Sequence, residues 1–580
     1  MKIKADKILT VLVIGLVFPS IINTNFNLSN YRENYIQIDA NPIFINGTAT
    51  GVGAHNWTWA VGQSWCSGNG IYSDPYIIEN LKIKGTGFET GIEIWNSNVS
   101  FIIQDCLIYN TDLAIWIENV NNSRLIDNNC SNNNAGIYIE YSNNNTISGN
   151  TANDNNQQGI YLYDSDHNYI TENTANNNDN GVEMDTSCEN NYIGGNTANN
   201  NTWIGIASFA MCHFNNITGN TANNNGNIGI YLEDECNNNV ISGNTVNDNA
   251  DTGIHLSGNC DYNIITESIV NNNTYNGIYI YGYCDSNTIS NNLISGTGSA
   301  AYGISVHWYS DKNTFIENTI LHNVEIGIEL YDFCEDNTVS DNIVSYNGLN
   351  GIGIYDFSDY NTITDNLLYN NAIGLYIDNS DNNTIYENVF SKNGEHAFED
   401  GIDNTWNSTF FGNYWDNHTG PDTSPQDGIV DDPYTHIGGP TGSIDYLPIA
   451  EDGSPSITIN SPDPSEVFYS IAPSFNVIIT DDYLDEMWYT IDGGLNNYTF
   501  TDNGTIDQSA WDAKSVGSIT ITFYANDTLG HEASEDVIIT KSIPSDGDDP
   551  TIVIVIVVVS IVGGVAVIAA AYLFLKKRKA

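Results

Sequence analysis

The sequence predicts an all-β ectodomain built on a parallel β-helix of about 14 coils, then a small β-sandwich, then one transmembrane helix. Three observations carry this reading. The pattern GIYIE, NNNTISGN, TAN that opens at Gly136 starts again at Gly159, Gly181, Gly205, Gly229, Gly253, Gly277, Gly303, Gly327, Gly353 and Gly374, mostly 24 residues apart. Longer alternating strands replace it over residues 455–543. An apolar run from Thr551 to Leu575 is followed by Lys576, Lys577, Arg578 and Lys579. A period near 24 is too short for helix pairs or propeller blades, and the repeats carry β-branched residues and Asn instead of a 3.6-residue rhythm.

In chain order, Lys2, Lys4 and Lys7 precede an apolar run from Ile8 to Phe18, the layout of a secretory signal or export segment over residues 1–30. Residues 31–85 carry Trp57, Trp59 and Trp65 and are read as a cap, because the first coil of a β-helix exposes an unpaired backbone edge. Residues 86–404 hold the repeats. In each, alternation sends Ile137 and Ile139 inward and Tyr138 and Glu140 outward. A second element, such as Asn145-Thr-Ile-Ser, again points its aliphatic residue inward. Asn at the strand boundaries tolerates left-handed backbone, and stacked in register its side chains can form amide ladders.

From Thr405 the repeat gives way to a closing segment, residues 405–450, with GNYWD at Gly412, a DG turn at Asp427, DDPY at Asp431 and DYLPI at Asp445. These motifs resemble the closing segment of NosD-like right-handed β-helix proteins, and the resemblance spans about Asn80 to Ile449. It implies a right-handed parallel β-helix, and it brings copper handling as an inherited possibility. Residues 455–543 look like the Ig-like modules of surface proteins, without a Cys pair. A linker, residues 544–550, leads to the run 551–575, long enough to cross a hydrocarbon core, and to a basic tail, residues 576–580, that marks the cytoplasmic side. The expectation is a cell-membrane protein facing outward on a single C-terminal anchor, with sequons such as Asn98-Val-Ser100 and Asn216-Ile-Thr218 open to glycosylation.

The net charge of −56 disfavours nucleic acid and anionic surfaces as partners. On the outward face, one column reads Tyr138, Tyr161, Glu183, Tyr231, Tyr279, Glu329, Tyr355 and Tyr376. Its neighbour reads Glu140, Tyr163, Asp185, Glu233, Tyr281, Tyr331 and Asp378. Aromatic faces stack on sugar rings and carboxylates accept their hydroxyls, so a surface polysaccharide is the preferred partner, with another surface protein as the other candidate. Tyr also favours strands and stacks on itself, which sets a purely structural reading beside the binding one.

No catalytic residue is assigned. Elimination from uronates needs a base beside a cation, and the coils offer only Arg124, Lys312 and Lys392. A polysaccharide lyase, epimerase or hydrolase remains the enzymatic alternative, and a structural envelope component the inert one. For metals, Asp422, Asp427, Asp431 and Asp432 around Gly428 offer hard oxygens to calcium. Copper enters only through the resemblance: Met184, Met211 and Met487 are scattered, and His255 and His307 lie two coils apart. Finally, Cys188, Cys212, Cys236, Cys260 and Cys284 recur every 24 residues, with Ser310 and then Cys334 at the same place. Parallel side chains in one column pair poorly as disulfides, so these are expected to be reduced, buried thiols packing as small apolar steps.

Overall fold

The computed structural model describes residues 35–39, 42–296, 302–418, 420–422, 428–450, 455–481, 484–527 and 532–542. The export segment and the apolar run 551–575 lie outside them. No helix among the described residues is long and apolar enough to cross a membrane. The chain divides into two units, one ending at Glu451 and one beginning at Asp452.

In the first unit the alternation read from GIYIE builds the first sheet, fifteen strands from Ile43–Asn46 to Glu395–Asp400. Every pairing within it is parallel and unstaggered, as in Tyr138 opposite Tyr161 and Ile206 opposite Ile230. The Asn-Thr-Ile-Ser elements build the second sheet, also of fifteen strands, from Cys66–Ser67 to Thr384–Tyr386. The third side is a sheet only at its ends: three strands, Ile36–Asp39, Leu81–Lys84 and Leu107–Tyr109, and seven from Ile269–Asn271 to Tyr414–Trp415. Between them it narrows to single bridges through Asn129, Thr151, Thr174, Thr197, Thr221 and Thr245. Most of the bridging coils read Thr-Ala-Asn, with Asn129-Cys-Ser and Thr245-Val-Asn at their ends, and those reading Ile-Val-Asn or Leu-Ile-Ser supply the β-branched and aliphatic residues that strands favour.

The interior is a set of aliphatic columns. Ile137, Ile160, Val182, Ile206, Ile230 and Ile254 stack on the first sheet, all fully buried. The coil glycine lies where there is no room for a side chain: a Cβ on Gly229 would come within 2.2 Å of Val246 Cγ1. This criterion also fixes the coil boundaries, and it corrects one. The glycine stacked between Gly327 and Gly374 is Gly351, and Gly353 faces outward.

Asn dominates because the corners are buried amide ladders. At Asn220, the backbone N–H and Nδ2 donate to Oδ1 of Asn244 at 2.9 and 3.1 Å, and Nδ2 also reaches Ile193 O at 2.8 Å. Its own Oδ1 accepts the matching pair from Asn196 at 2.8 and 3.1 Å. A second ladder runs through Asn191, Asn215, Asn239 and Asn263, and a third through Asn178, Asn201, Asn225 and Asn249.

The cysteine column is a fourth corner ladder. All nine cysteines are unpaired and buried. Cys188 N–H donates to Cys212 Sγ at 3.4 Å and Cys260 N–H to Cys284 Sγ at 3.3 Å. The same bond is made by Cys284 to Ser310 Oγ at 3.2 Å and by Ser142 to Ser165 Oγ at 3.0 Å. At these coils the position accepts the N–H of the coil before it whether Cys or Ser fills it, while the Cys side chains pack in the apolar core. Burial pushes the Cys334 thiol up to about 12, so it holds its proton.

Just beyond this corner, carboxylates stack outward. Asp261, Asp285 and Asp311 each accept the backbone N–H of the next coil's residue, at 2.8, 2.9 and 2.8 Å. Burial, then neighbouring acids, raise Asp261, Asp311 and Glu335. A carboxyl whose folded pKa exceeds its unfolded value binds protons preferentially when folded, so stability rises as pH falls through the raised pKa. His255, lowered to about 4 by burial, and His396, lowered by the same cause, act in the opposite sense below their unfolded value of about 6.5. The raised carboxyls outnumber them. The melting temperature is expected to be higher at pH 5 than at pH 7 and to rise with salt at pH 7; a steady fall from pH 7 to pH 5 in differential scanning calorimetry would contradict this.

At the closing end, Phe390, Trp415 and Tyr434 stack with centroids 4.3 and 4.0 Å apart. The GNYWD and DYLPI motifs meet here. Buried Asp445 accepts from Asn413 N at 2.7 Å and Trp415 Nε1 at 2.9 Å, and a Cβ on Gly412 would collide with its carboxylate. At the other end, Trp57 on the short helix Trp57–Ala60 stacks on Tyr76 at 4.7 Å and donates Nε1–H to Ser97 Oγ at 2.9 Å.

The second unit pairs Ser456–Ser461 with Asn476–Thr480 and adds a five-stranded sheet whose longest members, Gly517–Asp527 and Glu532–Lys541, are antiparallel. Trp511, Phe475, Phe523 and Tyr489 fill its core.

Candidate functional site

The outward face of the first sheet carries two columns. The first reads Tyr138, Tyr161, Glu183, Ala207, Tyr231, His255, Tyr279, Ser305, Glu329, Gly353 and Tyr376. The second reads Glu140, Tyr163, Asp185, Phe209, Glu233, Ser257, Tyr281, His307, Tyr331, Tyr355 and Asp378. Tyr355 thus belongs to the second column and not the first, the consequence of the coil starting at Gly351.

Much of this face is occupied with itself. Tyr138 and Tyr161 stack at 4.7 Å; the Tyr138 hydroxyl donates to Gln158 Oε1 at 2.6 Å and that of Tyr161 to Asp185 Oδ2 at 3.1 Å. Tyr163 packs edge-on to Tyr141 at 5.5 Å. Glu183 is buried, accepts from Gln158 and Asn180 at 3.0 and 2.8 Å, and is raised by that burial. Burial likewise raises Glu140. Tyr231 is 2.9 Å from Ser257 Oγ and stacks on His255, which stacks in turn on Tyr279, both at 4.8 Å. His255 Nε2 is buried without a hydrogen-bond partner. Tyr355 accepts from Asn350 Nδ2 at 2.5 Å and packs on Tyr376, which stacks on Phe398 at 4.8 Å. Glu233 is exposed.

The aromatic column breaks at Ser305. This small residue after the aromatic run Tyr231, His255 and Tyr279 leaves a cleft of about 440 Å³, lined by Asp251, Tyr275, Tyr279, Tyr302, His307, Glu329 and Tyr331 among others. On its floor, His307 Nε2 lies 2.8 Å from Ser305 Oγ and 2.9 Å from Glu329 Oε2, and Ser305 Oγ donates to the same carboxylate oxygen at 2.9 Å. Ser305 and Glu329 meet one ring nitrogen, so the three form a closed triangle and no relay through both imidazole nitrogens. Burial and then Glu329 raise Tyr302, and a hydrogen bond with Asp356 raises Tyr331, so both phenols stay protonated. No Lys or Arg among the described residues lines the cleft.

Of the predicted residues, Tyr279, Tyr331 and the column-mate Glu329 meet in this cleft, whereas Tyr281 turns to its other side. Asp251, Tyr275, Tyr302, Ser305 and His307 were not singled out as ligands from sequence. Their signal was the departure from the repeat: the coil from Gly277 to Gly303 is 26 residues long, and Tyr302 directly precedes its glycine.

The acids of the closing segment have separate duties. Asp422 Oδ2 accepts Gly428 N–H at 2.9 Å, Asp431 N–H donates to Pro421 O at 3.0 Å, and Asp432 O lies 2.8 Å from His418 Nε2. Asp427 lies outside the described residues. Among the described residues no three His, Cys, Asp or Glu gather to hold a metal ion. Met184 is buried in the solenoid interior, Met211 is exposed, and Met487 belongs to the second unit.

Family models match most of the solenoid. The model described as periplasmic copper-binding protein (NosD) matches residues 205–327 and 309–420, and that described as right handed beta helix region matches residues 61–213. No curated protein matches the chain. Among solved structures it is similar to the periplasmic alginate epimerase AlgG, at 16% identity over 57% of this chain and 84% of that one, with a TM-score of 0.38. It is also similar to the Azotobacter vinelandii mannuronan C-5 epimerase AlgE4 A-module, at 14% identity, 57% and 86% coverage and a TM-score of 0.32. The Dettilon tailspike protein matches at 13% identity, 74% and 72% coverage and a TM-score of 0.34. With motifs, coil stacking and family models agreeing from residue 61 to residue 420, the chain is a NosD-like right-handed parallel β-helix repeat protein.

Proposed function

We propose that the protein is a non-catalytic glycan-binding protein of the cell surface, held by its C-terminal apolar segment, which takes an uncharged sugar chain at the cleft between Tyr279 and Glu329. The observation that carries this reading is the cleft's lining: four tyrosines, two carboxylates and no Lys or Arg among the described residues. Tyrosines offer faces to the C–H side of a pyranose and carboxylates accept its hydroxyls. Uronates would meet Asp251 and Glu329 with no Lys or Arg to neutralise them and His307 already held by Glu329. In the Ser305–His307–Glu329 triangle Ser305 and Glu329 share one imidazole nitrogen, so no serine–histidine–carboxylate relay is formed, which favours holding a ligand over acid–base turnover.

The test is the double variant Tyr302→Ala/Tyr331→Ala. Each truncation is expected to remove roughly 1 kcal/mol or more of sugar contact, so affinity on a neutral-glycan column falls at least about tenfold. The melting temperature should move by only a few degrees, as neither side chain is in the core. Tyr231 is unsuitable for this test because it packs on His255 and Ser257. Loss of stability with unchanged retention would favour a structural role, and sugar release from a bound polymer would favour the enzymatic one.

A further inference from the structure

We propose that the bound glycan continues along the strand direction, over the Tyr281 ridge, into a second cleft walled by Trp308, so that the ligand is an uncharged oligomer and not a single terminal sugar. This rests on the first-sheet cleft being a glycan site.

The second cleft, of about 470 Å³, opens at the corner where the first sheet ends, with Phe209, Glu233, Asp234, Tyr281 and Trp308 around it. Its floor is made by Gly258 and Gly282, in consecutive coils at the same turn position, with φ of 71° and 80°. Backbone conformation does not demand glycine there. The equivalent residues of other coils, Asp234, Trp308, Asp332 and Asp356, hold the same left-handed region with side chains, at φ of 64°, 57°, 66° and 47°. Nor does crowding demand it: a Cβ on Gly258 would come no closer than 3.4 Å to any atom, and one on Gly282 no closer than 3.8 Å to Gly258 N and 4.0 Å to Trp308, both ordinary contacts. What the two glycines provide is an open notch two coils long, about 10 Å.

Trp308 closes one end of that notch. It is 41% exposed, contributes nothing to the core, and lies 5.3 Å from Tyr281 and 6.0 Å from Tyr283. Tyr281 is in turn 5.8 Å from Tyr279, a wall of the first cleft. The aromatic surface is therefore continuous from one cleft to the other. The two floors, at Ser305 and at Gly282, differ by three residues in column position, roughly 10 Å along the strand direction, more than one pyranose ring covers. Glu233 and Asp234 flank the second cleft as Asp251 and Glu329 flank the first, and no Lys or Arg among the described residues lines either. Both halves thus select the same chemistry: hydroxyl-rich, uncharged and long.

The test is calorimetric titration of the full-length protein with size-graded neutral oligosaccharides of glucan, mannan and xylan, from disaccharide upward. Wild-type affinity should climb with length until both clefts are filled. Trp308→Ala should match wild type for the shortest ligands and bind the longest roughly tenfold more weakly. Gly282→Asn, which keeps a left-handed backbone while filling the notch without adding charge, should do the same. Tyr302→Ala/Tyr331→Ala should weaken every length. Equal affinity of wild type and both second-cleft variants at all lengths overturns this inference and leaves the first cleft standing, as does an equal loss at all lengths. Failure of the wild type to bind any neutral oligosaccharide or its parent polymer overturns both.

Discussion

Aspartate at Ile230 is expected to abolish the cooperative thermal transition of the solenoid. Ile230 is fully buried between Ile206 and Ile254 in a continuous column, with no polar partner in reach for a carboxylate. An unpaired charge in such a place costs more than the 4–5 kcal/mol that marks exceptional single substitutions. Far-UV circular dichroism and calorimetry read the result. The contrasting variant removes the whole coil from Gly229 to Thr252. That joins Ile228 to Gly253 and brings Asn215, Asn220 and Asn225 onto Asn263, Ser268 and Asn273, their counterparts one coil further on. Because each coil contacts mainly its neighbours, this shorter solenoid should fold with a melting temperature within a few degrees of wild type. A folded Ile230→Asp protein beside an unfolded deletion would contradict the coil assignment.

Asn220→Ala is the second large effect. The amide donates to Ile193 O and Asn244 Oδ1 and accepts from the backbone and side chain of Asn196, all within the sealed corner. Alanine leaves the Asn196 N–H buried without its side-chain acceptor, at about 1–3 kcal/mol, and strips the Ile193 carbonyl and Asn196 Nδ2 of one hydrogen bond each, so a loss of about 2 kcal/mol or more is expected in denaturant titration. Asn220→Asp should be worse, replacing the donor by a buried charge. Asn200 is the control: it is exposed with φ of 56°, so Asn200→Gly should stay within about 0.5 kcal/mol of wild type. Equal effects at positions 200 and 220 would mean that Asn serves only as a turn former.

The fold was largely legible because one physical rule, alternate residues inward, repeats in every coil. Tyr355 shows where that rule stops. In Gly351-Ile-Gly-Ile-Tyr355 two glycines stand two residues apart, and a slip by two preserves every inward and outward assignment while moving each side chain one place along the strand. Hydrophobicity cannot detect such a slip. The buried amide ladder can, since Asn347 and Asn371 fix the coil on which Gly351 must stack. The cysteine column was visible by spacing, but its acceptor role was not read from it. Ser142, Ser165, Ser310, Ser358 and Ser380 at the same position were the available sign that the site wants an acceptor. The cleft was least legible, because it is made by exceptions: Ser305 directly after the aromatic run of Tyr231, His255 and Tyr279, Tyr302 before a coil glycine, and Gly258 and Gly282 where side chains fit.

The most direct measurement of the central claim is a glycan array that carries neutral and uronate-containing chains side by side, probed with the full-length protein and with Tyr302→Ala/Tyr331→Ala. Retention of neutral chains by the wild type and its loss in the variant, at a melting temperature within a few degrees, is the predicted result. Retention of uronate chains alone, or neutral-chain binding that the variant keeps in full, would contradict it.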